Sequence, residues 1–240
     1  MGRESEKARQ RKMARRAEKE RLAASGSLVK LANSVPDLMA ELAAFRRYDR
    51  RGVSVALEHR NVGDLSDAEL DAMLTICRDN MRALYNSCEW GWNDKEKRGE
   101  MTESMAKYLV ARDGDSKIVA FCHFRFDLDY DDEVVYCYEI QLTKPYQRSG
   151  LGKFMMSILE LMAFKKQMLY VRLTVLKHND VANNFFKSCG YVRDKTCLDD
   201  TIYQTYCYEI LSKKNPRRED VNVGNVPQIS ASKSQQQSCT

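Results

Sequence analysis

Val134 to Lys153 reads VVYCYEIQLTKPYQRSGLGK, and the order of signals inside it decides how the chain folds. The first half alternates. Val134, Tyr136, Tyr138, Ile140 and Leu142 fall on one side, Val135, Cys137, Glu139 and Gln141 on the other, which predicts a β-strand. Pro145 stops it, because proline has no N–H for a ladder. Gln147-Arg148-Ser149-Gly150-Leu151-Gly152 follows, and then Phe154, Met155, Ile158, Leu159 and Met162 recur at helical spacing. A strand therefore feeds a glycine-bearing turn that opens a helix. Backbone N–H groups collect there at the positive end of the helix dipole, and the glycines allow close approach, which suits a pyrophosphate.

Two familiar phosphate loops do not fit. A P-loop needs glycine where Gln147 stands and Ser or Thr where Phe154 stands, and a dinucleotide fingerprint needs glycine at Met155. A chance Gly-x-Gly turn before an ordinary helix is the remaining plain alternative. A second pattern bears on the choice. Leu169 to Leu176 (LYVRLTVL) predicts another strand, and a short helix then runs Asn179-x-x-Ala182-x-x-Phe185-Phe186-x-x-x-Gly190-Tyr191.

The Q-x-x-G-x-G loop after a strand resembles the coenzyme A loop of the GCN5-related N-acetyltransferase (GNAT) family. The downstream asparagine, alanine, aromatic pair and Gly-aromatic are similar to that family's closing pattern. Glu89-Trp90-Gly91-Trp92, Phe124-Arg125-Phe126-Asp127, Tyr136-Cys137-Tyr138-Glu139, Gly150-Leu151-Gly152-Lys153-Phe154 and Tyr208-Glu209-Ile210-Leu211 resemble its N-alpha-acetyltransferase D (NatD) branch. The likeness spans roughly residues 45 to 212 and, weakly, the Met-Gly-Arg start. It implies an α/β GNAT fold: a mixed, mostly antiparallel sheet with splayed central strands, flanked by helices. It also implies acetyl-CoA as co-substrate and the N-terminal tails of histone four and histone two-A as partners.

Composition bounds the rest. The 240 residues are 43% hydrophobic, enough for one full core, and no apolar run reaches the ~18 residues of a membrane span. No membrane partner is expected, and the basic start lacks the apolar segment of a signal peptide. Eight cysteines without a C-x-x-C pair and three scattered histidines give no legible metal or disulfide framework. Reduced thiols of a cytoplasmic or nuclear protein, expected as a monomer, are the reading. Residues 1 to 22 hold nine Lys/Arg and four Glu, so their +5 equals the whole-chain charge. Residues 1–35 read as a basic arm, helical or disordered, whose apolar positions begin at Leu22, Leu28 and Leu31. It is a solvated helix, a nuclear-localisation patch, or an arm for ribosome or chromatin. Gly2 suits myristoylation, but Glu6 stands where that motif wants Ser or Thr.

Along the domain, placed at 36–212, Ala40 to Tyr48 predicts a helical segment and Val53 to Glu58 a first strand. Ser66 and Glu69 form a capping box with Leu65 and Leu70 as its staple, and Leu70, Met73, Leu74, Cys77, Met81 and Leu84 continue an apolar stripe. Trp90 and Trp92 either plug the core or wall a groove. A charged helical stretch, Asp94 to Glu103, precedes a hairpin of Lys107–Arg112 and Ile118–Phe126 turned at Asp113-Gly114. The five carboxylates of Asp127 to Glu133 read as a loop, either a solvated turn or a dock for a basic peptide. From Lys213 the composition turns polar, which reads as a disordered tail, 213–240.

Acetyl transfer to an amine needs a proton acceptor. Glu139, a carboxylate in an apolar and aromatic strand, is the candidate base if burial raises its pKa; the plain alternative is a strand carboxylate paired with Arg or facing water. In the NatD branch the matching glutamate is catalytic. By the same resemblance Ile140, Gln141 and Leu142 offer backbone to the pantetheine arm, Arg148, Ser149, Gly150, Leu151, Gly152 and Lys153 hold the pyrophosphate, and Asn179 contacts the arm. Tyr85, Trp90, Leu128, Tyr136, Tyr138, Thr174 and Tyr208 would frame the peptide N-terminus, with Asp127 and Asp129 receiving its basic residue. Phe186 stands where many relatives place a proton-donating tyrosine, so either Tyr138 donates or the thiolate leaves unassisted. Acetylation of lysine or small amines, and a non-catalytic acetyl-CoA-binding module, are the competing functions.

Overall fold

In the computed structural model, residues 6–218 are described. Eight strands, β1 (Arg47–Arg50), β2 (Val53–Asn61), β3 (Lys107–Arg112), β4 (Ile118–Asp129), β5 (Asp132–Leu142), β6 (Tyr170–Leu176), β7 (Val192–Arg193) and β8 (Tyr208–Lys214), form one sheet. Their order is β1-β2-β3-β4-β5-β6-β8-β7. All neighbours are antiparallel except β5 and β6. This is the expected α/β GNAT architecture with a mixed sheet.

Helices cover both faces. Helix α1 (Glu6–Asn33), α4 (Leu151–Lys165) and α5 (Asp180–Ser188) pack on one, with Val29, Met155, Leu159, Phe186, Val135 and Cys137 in a shared core. Helix α2 (Asp67–Tyr85) and α3 (Asp94–Met101) cover the other, around Met73, Cys77, Met101, Tyr108 and Phe121. The start of α2 is set by its capping box: the Ser66 hydroxyl accepts from the Glu69 N–H while the Glu69 carboxylate accepts from the Ser66 N–H.

The alternation read along β5 is broken once. The register with β4 steps from His123↔Glu139 to Phe124↔Cys137, leaving Tyr138 as an extra residue. Such a bulge reverses the facing of everything beyond it. Val135 and Cys137 thus share a face with Ile140 and Leu142. Tyr138 no longer lies opposite Glu139 and Gln141, whose side chains meet α3 and α2.

Other boundaries move as well. Ala40–Phe45 is a kinked 3-10 segment, and Tyr48, expected to be helical, lies in β1, so the strand at Val53 is the second. The two residues between them, Arg51 and Gly52, have φ of 54° and 74°, the left-handed pair of a tight hairpin. The arm does not end at 35 as a separate unit: Ser25, Val29 and Ala32 of α1 are buried, whereas Leu31 is exposed. Lys213 and Lys214 belong to β8 and Asn215 is buried, so the ordered domain passes the expected limit at 212. Gly2 and residues 219–240 lie outside the described residues.

The acidic stretch is not a loop. β4 and β5 run into each other through Tyr130 and Asp131, with φ of 49° and 63°. Asp129 and Asp132 grip Arg172, which is wholly buried in β6, at 2.7 and 3.1 Å, and Asp194 takes its Nε at 3.1 Å. Glu133 accepts from Ser25 at 2.7 Å and from Arg218 at 3.0 Å. Three of the five carboxylates thus bind within the fold. A buried guanidinium requires this, because its charge must be matched once water is removed.

Candidate active site

The site begins where the sheet divides. β5 pairs with β6 only from Val134↔Tyr170 to Cys137↔Leu173. Beyond that, Thr174, Val175 and Leu176 pair with β8 alone. From Tyr138 onward β5 therefore has no strand on its β6 side among the described residues, and the splay opens a groove of about 1890 Å³. Every candidate residue lines it except Ser149 and Leu151.

At one end lies the turn into α4. Gly150 sits at φ 93°, and a Cβ there would lie 2.9 Å from the Tyr48 hydroxyl. That hydroxyl donates to the Ser149 carbonyl at 2.7 Å, tying the turn to β1. The Ser149 hydroxyl donates to Tyr146 O and accepts from Leu151 N, and the Leu151 side chain is buried in the core. These two residues shape the turn from behind. Arg148, Gly150, Gly152 and Lys153 face the groove. Leu151 N is taken by Ser149, but the next first-turn N–H groups of α4 have no acceptor within the helix, so this cationic turn fits a pyrophosphate. Two expectations need adjustment. The Leu142 carbonyl already accepts from the Asn80 and Gln147 amides, both at 3.0 Å, so it is not free for a pantetheine amide. The Asn179 carbonyl oxygen caps α5 through Ala182 N, leaving its amide nitrogen for the groove.

Glu139 lies at the middle of the groove and is 5% exposed. Rather than a solitary buried acid, it is half of a pair. Lys97 Nζ donates to Oε1 at 3.0 Å, and Gln141 Nε2 donates to Oε2 at 2.7 Å. Lys97 also reaches both Glu100 oxygens at 3.1 Å. Burial alone would lower the Lys97 ammonium, but Glu139 and Glu100 outweigh it and hold it well above its usual range. Burial pushes Glu100 up, against the pull of Lys97. Lys97, Glu100 and Asn80 were not singled out from sequence. The only trace was the charged i, i+3 spacing of the Asp94–Glu103 stretch.

At the other end the walls are aromatic. Tyr85 meets Trp90 at 5.8 Å, Trp90 meets Tyr208 at 5.3 Å, and Tyr136 meets Tyr138 at 5.2 Å. The Tyr136 and Thr174 hydroxyls are 2.5 Å apart across the splay. The two tryptophans divide the roles proposed for them. Trp90 walls the groove, while Trp92 packs against the α2–α3 core and donates to Asp94 at 2.7 Å. Tyr138 is sandwiched between His123, 5.0 Å away, and the Arg125 guanidinium, 4.3 Å from its ring centre. Burial pushes its phenol up to about 12, so it carries its proton at neutral pH. Asp127 is exposed at the rim, whereas Asp129 is already bound to Arg172.

Comparison with known proteins agrees with this geometry. Residues 73–191 match the model of the Acetyltransferase (GNAT) family. The fold is shared with the ribosomal-protein-S18-alanine N-acetyltransferase from Escherichia coli, at TM-score 0.50 and 17% identity, covering 69% of this chain and 97% of that one. GNAT acetyltransferases from Staphylococcus aureus Mu50 (TM-score 0.51, 11% identity, 67% and 99% covered) and Listeria monocytogenes 4b F2365 (0.50, 13%, 70% and 99%) are also similar. A divided sheet, a glycine turn opening a helix and a matching family region define the class: over this region the chain is a member of the GNAT family of acetyltransferases.

Proposed function

We propose that this acetyltransferase acts on the free N-terminal amine of proteins that begin Ser-Gly-Arg-Gly, as histone four and histone two-A do. One observation carries the reading: the buried Glu139 opens onto a groove that continues past it between the aromatic walls of Tyr85, Trp90, Tyr136, Tyr138 and Tyr208. A small amine would need only a pocket, whereas a groove of about 1890 Å³ that runs on between aromatic walls leaves room for extended chain beside acetyl-CoA. Acetyl-CoA, held by the α4 turn, supplies an activated acetyl thioester. An α-amine has a pKa of ~7.7–8.0, so a modest base suffices to make it nucleophilic near neutrality. Glu139 accepts that proton, directly or through one water. Lys97 and Gln141 each occupy one lone pair of its oxygens and fix the carboxylate in place. Tyr138 holds its proton and donates to the departing thiolate. The aromatic walls crowd the first side chain, favouring serine, and Asp127 at the rim receives the arginine.

The test is acetyl transfer to a peptide panel. A free Ser-Gly-Arg-Gly peptide should be acetylated. The same peptide with a blocked N-terminus, an internal lysine, and spermidine should not. Equal rates on a blocked peptide that carries an internal lysine would move the activity to side-chain amines.

A further inference from the structure

Away from Glu139, next to Trp90 and Tyr208 of the groove wall, two cysteines and a carboxylate that the acetyl-transfer chemistry does not use come together. The ligand atoms of Cys88, Glu89 and Cys207 lie within 4.8 Å of one another. Cys88 and Glu89 follow α2, and Cys207 immediately precedes β8, so the cluster bridges two segments far apart in sequence. The residues that follow each half, Trp90 and Tyr208, meet at 5.3 Å in the wall. Backbone bonds hold both halves in place. The Cys88 thiol donates to Tyr85 O at 3.4 Å, and the Cys207 carbonyl accepts from Lys177 N at 2.8 Å.

A second thiol pair supplies the contrast. Cys122 and Cys137 approach to 3.5 Å, but both are buried in the apolar core, the setting of inert structural thiols. Cys88 and Cys207 are only half-buried, and Glu89 is exposed, so an ion can reach them from solvent. Two sulfurs and one oxygen within one ion's reach match the ligand set of tetrahedral zinc, and thiolates select against hard cations such as magnesium.

We propose that Cys88, Glu89 and Cys207 bind a single soft divalent cation of the zinc type, with water in the fourth position. On binding, the two thiol protons pass to solvent and two metal–sulfur bonds form. The ion would tie the α2–α3 connection to the start of β8 and so fix the Trp90–Tyr208 wall. This holds whichever amine the groove accepts.

The full-length protein, reduced and freed of metal, is titrated with Co2+ and then with Zn2+. One equivalent of Co2+ should give a sulfur-to-cobalt charge-transfer band that Zn2+ abolishes. The band should be absent from Cys88→Ser/Cys207→Ser. Glu89→Gln should weaken binding at least as much as the ~10- to 100-fold that losing an outer-shell partner costs. A readout on the wild-type chain guards against misfolded variants: Zn2+ should slow alkylation of Cys88 and Cys207, and of no other cysteine, by mass spectrometry. Absence of the band in wild type, its persistence in the double variant, or protection falling on other cysteines would overturn the site.

Discussion

At its start β5 is held on both sides. There Asp132 and Glu133, with Asp129 across the turn, are consumed by Arg172, Arg218 and Ser25. At its far end β5 pairs with β4 alone among the described strands, and Glu139 faces a groove with Lys97 and Gln141 as partners. The two ends bury similar acids to different effect. In the closed end Asp129, Asp132 and Glu133 are matched by fixed neighbours, so these acids secure the sheet. In the open end the missing strand leaves a face of the carboxylate for a substrate. The difference lies in the backbone pairing: carboxylate density in the sequence marks a site only where the sheet leaves room beside it.

Removing the hub of the closed end should have the largest effect. Arg172→Met strands Asp129, Asp132 and Asp194 around a buried gap, and breaking such a pair costs ~3–5 kcal/mol. Urea unfolding should register that loss. A change under ~1 kcal/mol would show that the acids are solvated after all.

Burial without pairing is tested at His59 in β2. Burial, then the charge of Lys107, pushes its imidazole down to about 4 from an ordinary 6.5. Between those values the unfolded chain binds a proton that the folded one does not. Stability is therefore full above pH ~6.5 and falls by ~3 kcal/mol as the pH drops to ~4. Chemical denaturation from pH 7 to 4 should show that decline, and His59→Phe should flatten it.

The smallest effects separate two neighbours within the acidic stretch. Asp129→Asn loses a charged hydrogen bond to Arg172, worth ~1.5–3 kcal/mol of stability. Asp127→Asn should leave stability within ~0.5 kcal/mol but raise KM for the Ser-Gly-Arg-Gly peptide. An arginine-to-alanine peptide should then gain nothing further from the Asp127→Asn change. Fully additive losses would remove Asp127 as the dock.

Much of this was legible. The strand, turn and helix of Val134–Lys153, the capped α2 and the Lys107–Arg112 hairpin strand follow from short-range signals, namely period, proline, glycine and cap. The splay was legible only through family resemblance. The Tyr138 bulge was not legible, because one inserted residue leaves composition and local alternation unchanged while reversing every facing beyond it. Nor were the partners of the acids. Arg172 is 43, 40 and 22 residues from Asp129, Asp132 and Asp194, and Lys97 is 42 residues before Glu139. β1 was missed because Arg-Tyr-Asp-Arg carries one buried side chain, and the reason for it, the Tyr48 bond to Ser149, spans 101 residues.

The central claim is that Glu139, at the open end of β5, takes the proton from the substrate amine. Its most direct test is single-turnover acetyl transfer to the Ser-Gly-Arg-Gly peptide by Glu139→Gln, with acetyl-CoA affinity measured alongside by calorimetry. The account predicts unchanged acetyl-CoA affinity and a rate ~100-fold or more below wild type at neutral pH, narrowing as the pH rises and the amine deprotonates unaided. A rate within a few-fold of wild type from pH 6 to 9 would contradict it and leave Glu139 as the counter-ion of Lys97.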